Sequence, residues 1–319
     1  MTPAAPLDSR LTEQRNPATA EIDLASPLEI VEMMSKQDRI VAEAVYKVRN
    51  QIAKAIELVE AAFRAGGHLY YVGAGTSGRL GVLDASECPP TFGTPPELVQ
   101  GIIAGGYNAL IQPAEGAEDN QDAGAAAIEA KNAGPNDVVF GITASGSTPY
   151  VKGAIGRGVA RGCKIILLAA TDPPRELLAR CDVAILPKVG PEALTGSTRL
   201  KAGTATKMVL NMVTTGAMIR WGKAYGNLMV DLVALSAKLH DRAERIVMEV
   251  CGVTREDAKH VIGNAGGRVK TAIVMIKHRV GREEAERLLT AADGNARKVI
   301  GEAPPKPTTT GEFAVDPRD

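Results

Sequence analysis

The segment HLYYVGAGTSG, residues 68–78, joins a short apolar run to a turn that is rich in glycine and hydroxyl side chains. The run is continuously apolar rather than alternating, which is typical of a strand covered on both faces. Four later runs have the same character, and spacings of roughly 20–40 residues leave room for crossover helices. These runs are ELVQGIIAGG (97–106), DVVFGITASG (137–146), CKIILLAA (163–170) and VAILPKVG (183–190). The sequence therefore predicts an α/β fold with a doubly wound, parallel five-stranded sheet, which binds ligands at the carboxyl ends of its strands.

Helical segments flank the predicted sheet on both sides. Ser26-Pro27-Leu28-Glu29 predicts a helix start, because Ser26 can cap, proline suits the first helical position and Glu29 completes a capping box. An apolar stripe from Val41 to Phe63, at steps of three and four residues, predicts a second helix. The predicted organisation is an N-terminal arm with helices (1–50), the sheet domain (51–235), a small helical bundle (236–300) and a disordered proline-rich tail (301–319).

The composition argues against several classes of protein. Lys plus Arg and Asp plus Glu are both 37, and aromatic residues are only 3%, so neither a basic footprint nor a base-stacking surface for nucleic acid is expected. The four cysteines and four histidines show no metal-ligand spacing, so we expect no metal. No apolar stretch is long enough for a membrane span, and the first 23 residues lack a secretory core. We expect a cytoplasmic protein.

The turn after the first predicted strand, Gly73–Gly78, has the G-x-G-x-x-G pattern of dinucleotide-binding proteins. The second predicted strand ends without the acidic residue that would bind a ribose, which argues against NAD. Gly75 with the hydroxyls of Thr76 and Ser77 instead suits a phosphate monoester, which the following helix N-terminus would also attract. The alternative is an ordinary glycine-rich turn that is capped by threonine or serine.

The third predicted strand ends in a second hydroxyl-rich loop. Ser145, Ser147 and Thr148 precede Pro149, which suits the first position of a helix with Thr148 as its N-cap. One such loop is explained by helix capping alone. Two of them at one edge of a parallel sheet favour a site for a phosphorylated ligand.

A third polar loop, residues 195–201, follows the fifth predicted strand. Ser197, Arg199 and Lys201 could face a phosphate or a carboxylate. A solvated helix start with incidental charge explains the same pattern equally well. Which of Arg199 and Lys201 would contact a ligand stays open.

Two pairs of carboxylates are candidates for acid–base chemistry, since no Ser-His-Asp or Cys-His arrangement is evident. Asp84 and Glu87 lie in the sequence DASECPP, and Glu115 and Glu118 lie in EGAED. The members of each pair are three residues apart, so on a helix they would share a face. The pattern does not choose within either pair, and all four could be surface or capping residues.

These motifs together resemble those of the N-acetylmuramic acid 6-phosphate etherases. The resemblance extends from about residue 10 to about residue 300 and is carried by long contiguous segments. It implies a sugar isomerase (SIS) domain of flavodoxin-like fold over 51–235, a UBA-like bundle over 236–300, and a cytoplasmic homodimer with its site near the subunit interface. The segments are Gly73–Thr91, Glu115–Asp119, Ala144–Tyr150 and Leu194–Met212.

The resemblance also implies a reaction and its catalytic residues. The family cleaves the D-lactyl ether at C3 of N-acetylmuramic acid 6-phosphate without metal or cofactor, during recycling of the bacterial cell wall. Its catalytic acid corresponds to Glu87 and its second catalytic glutamate to Glu118. Two rival functions share the fold: a non-catalytic sugar-phosphate sensor, similar to the glucokinase regulatory proteins, and an aldose–ketose isomerase acting on sugar phosphates.

Overall fold

The computed structural model describes residues 10–233 and 236–306. The chain divides into two compact units. The first comprises the residues up to Pro89 together with Thr94–Trp221, and the second comprises Pro90–Gly93 and the chain from Gly222 onward. The start of the predicted arm and the predicted disordered tail beyond residue 306 lie outside the described residues.

The first unit contains the five-stranded parallel sheet that the sequence predicts. The strands are β1 (Leu69–Gly73), β2 (Val99–Ile103), β3 (Val138–Thr143), β4 (Lys164–Ala169) and β5 (Val183–Ile185). Their order in the sheet is β2-β1-β3-β4-β5, and every neighbouring pair is parallel. All residues of β1 and β3 are buried, which is why both strands are apolar without alternation.

The order of the strands fixes where a ligand can bind. From β1 the chain crosses to β2 on one side, and it then returns to place β3 on the other side of β1. Gly73, the last residue of β1, pairs with Ile103 of β2 and with Ile142 of β3. The carboxyl ends of β1 and β3 are therefore neighbours at a topological switch point, where doubly wound sheets open a crevice for ligands.

Seven helices of the first unit surround this sheet within the described residues. The first begins as predicted, with the Ser26 side chain and Glu29 forming a capping box. The second prediction was wrong in one respect, because the apolar stripe from Val41 to Phe63 belongs to two helices that are separated at Val48. The apolar residues continue at steps of three and four after Val48, so the periodicity of the sequence does not reveal the break between the two helices. The helices are α1 (Pro27–Lys47), α2 (Arg49–Arg64), α3 (Gly75–Phe92), α4 (Gln121–Glu129), α5 (Pro149–Ala160), α6 (Arg175–Leu178) and α7 (Lys201–Arg220).

The second unit is helical, as predicted for residues 236–300. The helix Ala237–Cys251 packs its apolar face into the core of this unit, and the buried residues of this helix recur at steps of three and four. Lys270 is also buried here, and its ammonium donates to the Asp231 carboxylate at 2.6 Å and to the carbonyls of Gly222 and Gly294. The helices are α8 (Ala237–Cys251), α9 (Arg255–Asn264), α10 (Val269–His278), α11 (Arg282–Ala291) and α12 (Ala296–Ile300).

Within residues 10–233 and 236–306, none of the helices has both the length and the apolarity that a bilayer crossing requires.

Candidate functional site

The turn after β1 brings a helix N-terminus to the carboxyl edge of the sheet. A Cβ atom on Gly78 would lie 2.7 Å from the carbonyl oxygen of Gly73, so only glycine lets α3 pack this closely on the end of the strand. Gly75 begins α3 with φ +52°, followed by Thr76 and Ser77. The backbone N–H groups of a first helical turn have no partner within the helix. The predicted G-x-G-x-x-G turn thus has the geometry of an anion-binding turn.

The loop after β3 is a connected cluster of hydroxyl groups. The hydroxyls of Thr143 and Thr148 lie 2.8 Å apart, and those of Ser145 and Ser147 lie 3.3 Å apart. Gly146, with φ +72°, turns the chain between the two serines. Thr148 occupies the predicted N-cap position of α5, but its side chain makes no capping bond because its hydroxyl is engaged with Thr143. The cluster is half-buried and follows the strand beside β1.

The loop after β5 directs its lysine inward. Lys201 is 1% exposed, and its ammonium donates to the Gln37 side chain at 2.9 Å. Burial lowers the pKa of Lys201, and the nearby Glu192 opposes this effect. The buried Glu192 carboxylate caps α7 by accepting from the backbone N–H groups of Lys201 and Ala202, both at 2.9 Å. Of the other two candidate residues in this loop, Ser197 is half-buried and Arg199 is exposed. A ligand contact from Lys201 or Ser197 stays a prediction.

Tertiary contacts place the two carboxylates of α3, Asp84 and Glu87, in different environments. Asp84 is 5% exposed and accepts hydrogen bonds from Tyr71 at 2.9 Å, Asn211 at 2.6 Å and Thr214 at 3.0 Å. Burial raises the pKa of Asp84, although these three hydrogen bonds work in the opposite direction. Glu87, one turn later, is exposed. Asp84 is therefore occupied in holding α3 against the strand and α7, whereas Glu87 is accessible to a ligand.

Glu118 borders a small cavity next to the turn after β1. It lies on a 3₁₀ turn, Ala117–Asp119, which follows Gly116 in the left-handed conformation. The cavity has a volume of about 220 Å³. Its lining includes Gly75 from the phosphate-type turn together with Arg79, and it includes both members of the second acidic pair, Glu115 and Glu118. Glu118 is thus brought to the first hydroxyl-rich turn, whereas Glu87 is not part of this lining.

Sequence reasoning missed two side chains of this region. Glu192, which caps α7, lies nine residues before Lys201 and has no local capping pattern. Arg79 lies inside the quoted motif, directly after Gly78, but its contact is with Leu110, 31 residues away. Only the fold reveals either partnership, although the arginine next to a phosphate-type turn was a signal that could have marked Arg79 as a candidate.

The parallel sheet with hydroxyl-rich loops at the carboxyl ends of β1 and β3 defines a protein of the sugar isomerase (SIS) class. In agreement, the family profile described as the glucokinase regulatory protein N-terminal SIS domain matches residues 51–158. A solved phosphoheptose isomerase from Francisella tularensis aligns with 60% of this chain and 100% of its own, with 16% identity and a TM-score of 0.47.

Curated relatives define the family more narrowly. An N-acetylmuramic acid 6-phosphate etherase from Salinibacter ruber is 52% identical, over 92% of this chain and 94% of the relative. The etherase from Serratia proteamaculans is 50% identical, over 92% and 99%, and that from Psychromonas ingrahamii is 48% identical, over 93% and 99%. The chain belongs to the N-acetylmuramic acid 6-phosphate etherase family. These relatives do not favour the sensor or the isomerase as its function.

Proposed function

We propose that the chain is an N-acetylmuramic acid 6-phosphate etherase, a carbon–oxygen lyase that releases D-lactate and leaves N-acetylglucosamine 6-phosphate. One observation carries this proposal: etherases about half identical to the chain match it over nine-tenths of its length. The geometry supports it, because an accessible glutamate, Glu118, shares a cavity with the phosphate-type turn at the switch point of the sheet.

The two hydroxyl-rich loops hold the 6-phosphate in this proposal. Gly75, Thr76 and Ser77 contribute the N-terminus of α3, and the helix dipole favours a dianion there. The cluster around Ser145, with Ser147 and Thr148, contributes hydroxyl donors from the neighbouring strand end. Hydroxyls that bond one another in the free chain can reorient towards phosphate oxygens. Ser197 and Lys201 complete the proposed set of binding residues.

The chemistry proceeds by elimination, because an unactivated ether resists direct hydrolysis. In the ring-opened sugar the C2 proton is acidified by the C1 aldehyde, and Glu118 removes it as general base. The C3–O bond then breaks, and Glu87 gives its proton to the ether oxygen as D-lactate leaves. Water adds to C3 of the unsaturated aldehyde with Glu87 as base, and C2 regains a proton. Each such proton transfer accelerates a reaction by roughly 10²–10⁴-fold.

We propose further that the enzyme is a homodimer. Glu87 and Glu118 are both exposed in the single chain, yet an acid that works near neutral pH benefits from burial. A second copy next to the site would exclude water from them. The first unit also has an apolar groove between α1, α2 and α7, where Tyr46 is 60%, Met212 43% and Ile219 49% exposed. A groove of this kind is typical of an association surface.

The dimer has a direct test in solution. Ile219→Asp places a charge in the groove and should convert the protein to a monomer in light scattering after size exclusion. Val159→Asp is the matched control, because Val159 is similarly exposed, at 44%, on a different helix. If the Ile219→Asp variant is still a dimer, the interface lies outside this groove.

The cellular setting is also a proposal. All four cysteines are free thiols rather than disulfides, which suits the reducing cytoplasm. A sugar that carries both a lactyl ether and a phosphate derives from the bacterial cell wall. We therefore assign the enzyme to cytoplasmic peptidoglycan recycling, as a step of amino sugar catabolism.

The decisive experiment is D-lactate release from N-acetylmuramic acid 6-phosphate by the purified full-length protein. We expect stoichiometric release with formation of N-acetylglucosamine 6-phosphate. Binding of the substrate without turnover would instead support a sensor, and aldose–ketose interconversion without lactate would support an isomerase. The double variant Glu87→Gln/Glu118→Gln serves as the control for contaminating activity.

A further inference from the structure

Arg79 is a half-buried cation with unusual surroundings. It lies in the second turn of α3, and its Nε donates to the carbonyl oxygen of Leu110 at 3.0 Å. This bond fixes the direction of the side chain along the wall of the cavity that Glu118 borders. A guanidinium has five N–H donors, and the bond to Leu110 uses one of them. The terminal nitrogens have no hydrogen-bond partner among the described residues.

No carboxylate within the described part of the chain lies within 4.0 Å of the Arg79 guanidinium. Two arginines of the first unit that are more exposed than Arg79 do have such partners. Arg64 pairs with Glu60 at 3.0 Å, and Arg161 approaches Glu129 at 3.8 Å. A guanidinium that is held in a partly desolvated cavity without a counter-ion favours binding of an anion from solution, and a carboxylate or phosphate is the group that its planar fork matches.

The charged residues of the cavity lining are acidic apart from Arg79, which bears on whether an anionic substrate group can bind there. Glu115 and Glu118 both line the cavity, and two glutamates repel an incoming anion. Among the described lining residues, Arg79 alone carries a positive charge. Arg79 is therefore the side chain of this lining that can pair with a carboxylate entering the cavity.

We propose that Arg79 binds the carboxylate of the lactyl group and so distinguishes the ether substrate from sugar phosphates that lack this group. The inference rests on the proposed function, in which Glu118 removes the proton at C2. The ether is attached to the adjacent carbon, C3, so its carboxylate lies close to the base.

The test compares two substrates and two enzymes. The substrates are N-acetylmuramic acid 6-phosphate and its lactyl carboxamide, which is isosteric but neutral. We expect Arg79→Gln to lower kcat/KM for the acid by about 10- to 100-fold, the usual effect of losing a charged hydrogen-bonded pair. The carboxamide should change by less than about threefold, because it never had the ion pair. D-lactate should also cease to inhibit the variant, whereas inhibition by N-acetylglucosamine 6-phosphate persists.

Arg161→Gln is the matched control. Arg161 is more exposed than Arg79, but its Nε also donates to a backbone carbonyl, that of Ala133 at 2.9 Å, and it lies outside the cavity lining. Its kinetics with both substrates should equal those of the wild type. Arg79→Lys keeps the charge without the fork, so it should retain part of the preference for the acid and serves if the glutamine variant unfolds.

Three outcomes would overturn the inference. An equal loss of activity on the acid and the carboxamide would make Arg79 a structural residue. Loss of inhibition by N-acetylglucosamine 6-phosphate, with D-lactate inhibition kept, would make it a phosphate ligand. If both Arg79→Lys and Arg79→Gln retain the wild-type preference for the acid, a residue other than Arg79 binds the carboxylate. Failure of the proposed function is distinct, because the wild type itself would then release no lactate.

Discussion

The Tyr71 hydroxyl, on β1, donates a 2.9 Å hydrogen bond to the carboxylate of Asp84, on α3, in a fully buried position. Thr214 and Asn211 of α7 donate to the same carboxylate. A single acid thus joins the interior strand β1 to the helices α3 and α7. Because Glu87 follows Asp84 by one helical turn, this network also fixes the face on which the proposed catalytic acid is displayed.

Removal of the Asp84 carboxylate should destabilise the first unit. Asp84→Ala leaves the buried Tyr71 hydroxyl and the half-buried Asn211 amide without this acceptor, while Thr214 keeps the Leu210 carbonyl, and we expect a loss of about 3–5 kcal/mol in the free energy of unfolding, as for broken buried polar networks. Equilibrium unfolding in urea measures it. Glu87→Gln is the control, because an exposed glutamate should change stability by less than about 0.5 kcal/mol. Equal effects of the two substitutions would contradict the role of Asp84.

Substitution of the two glutamates should separate the two proton transfers. Glu87→Gln should still exchange the C2 proton of the substrate with deuterated water but release little lactate, because only departure of the ether needs the acid. Glu118→Gln should lose both activities, since it removes the base. Mass spectrometry of the recovered substrate and a lactate assay measure the two steps. Exchange that is lost in Glu87→Gln while lactate release survives would reverse the assignment.

Glu60 should confer stability that depends on pH. Burial favours the protonated form of Glu60, but hydrogen bonds from Arg220 and Arg64 outweigh it and lower the pKa below the ordinary 4.5. A depressed folded-state pKa gives stability that is present above the unfolded pKa and is lost as the pH falls through the folded value. Glu60→Gln should therefore destabilise by about 1–2 kcal/mol at pH 7.

The difference between wild type and Glu60→Gln should shrink in urea titrations as the pH falls below about 4.5 and through the lowered folded-state pKa, because the wild-type carboxylate becomes protonated over that range. Glu32→Gln, at an exposed position of α1, should match the wild type at every pH. A difference that stays constant from pH 7 to pH 3.5 would show that the ion pair is not its source.

The four cysteines should be poorly reactive in the folded protein. Burial raises the pKa of Cys88 to about 12 and that of Cys163, Cys181 and Cys251 to about 11. At pH 8 the reactive thiolate is therefore at most about one part in a thousand. Ellman's reagent should label the native protein slowly and all four thiols rapidly in urea. Rapid labelling of one native thiol would show that its surroundings open.

The elements that sequence predicted correctly are those whose cause is local. Continuous apolar runs predicted five strands because a strand buried on both faces has no solvent side to alternate with. The helix start at Ser26 was predictable because its capping box lies within four residues. The break at Val48 was not, because one residue outside helical geometry leaves the apolar period unchanged.

The candidate site depended more strongly on tertiary structure. The sequence determined the hydroxyl-rich loops, the two acidic pairs and, through long matching motifs, the family. Only the fold made Asp84 a buried acceptor and left Glu87 exposed, because the partners of Asp84 include Asn211, 127 residues away. The fold likewise turned Lys201 towards Gln37 and placed Arg79 beside Glu118. Such pairings depend on which surfaces the sheet brings together, and no local pattern encodes them.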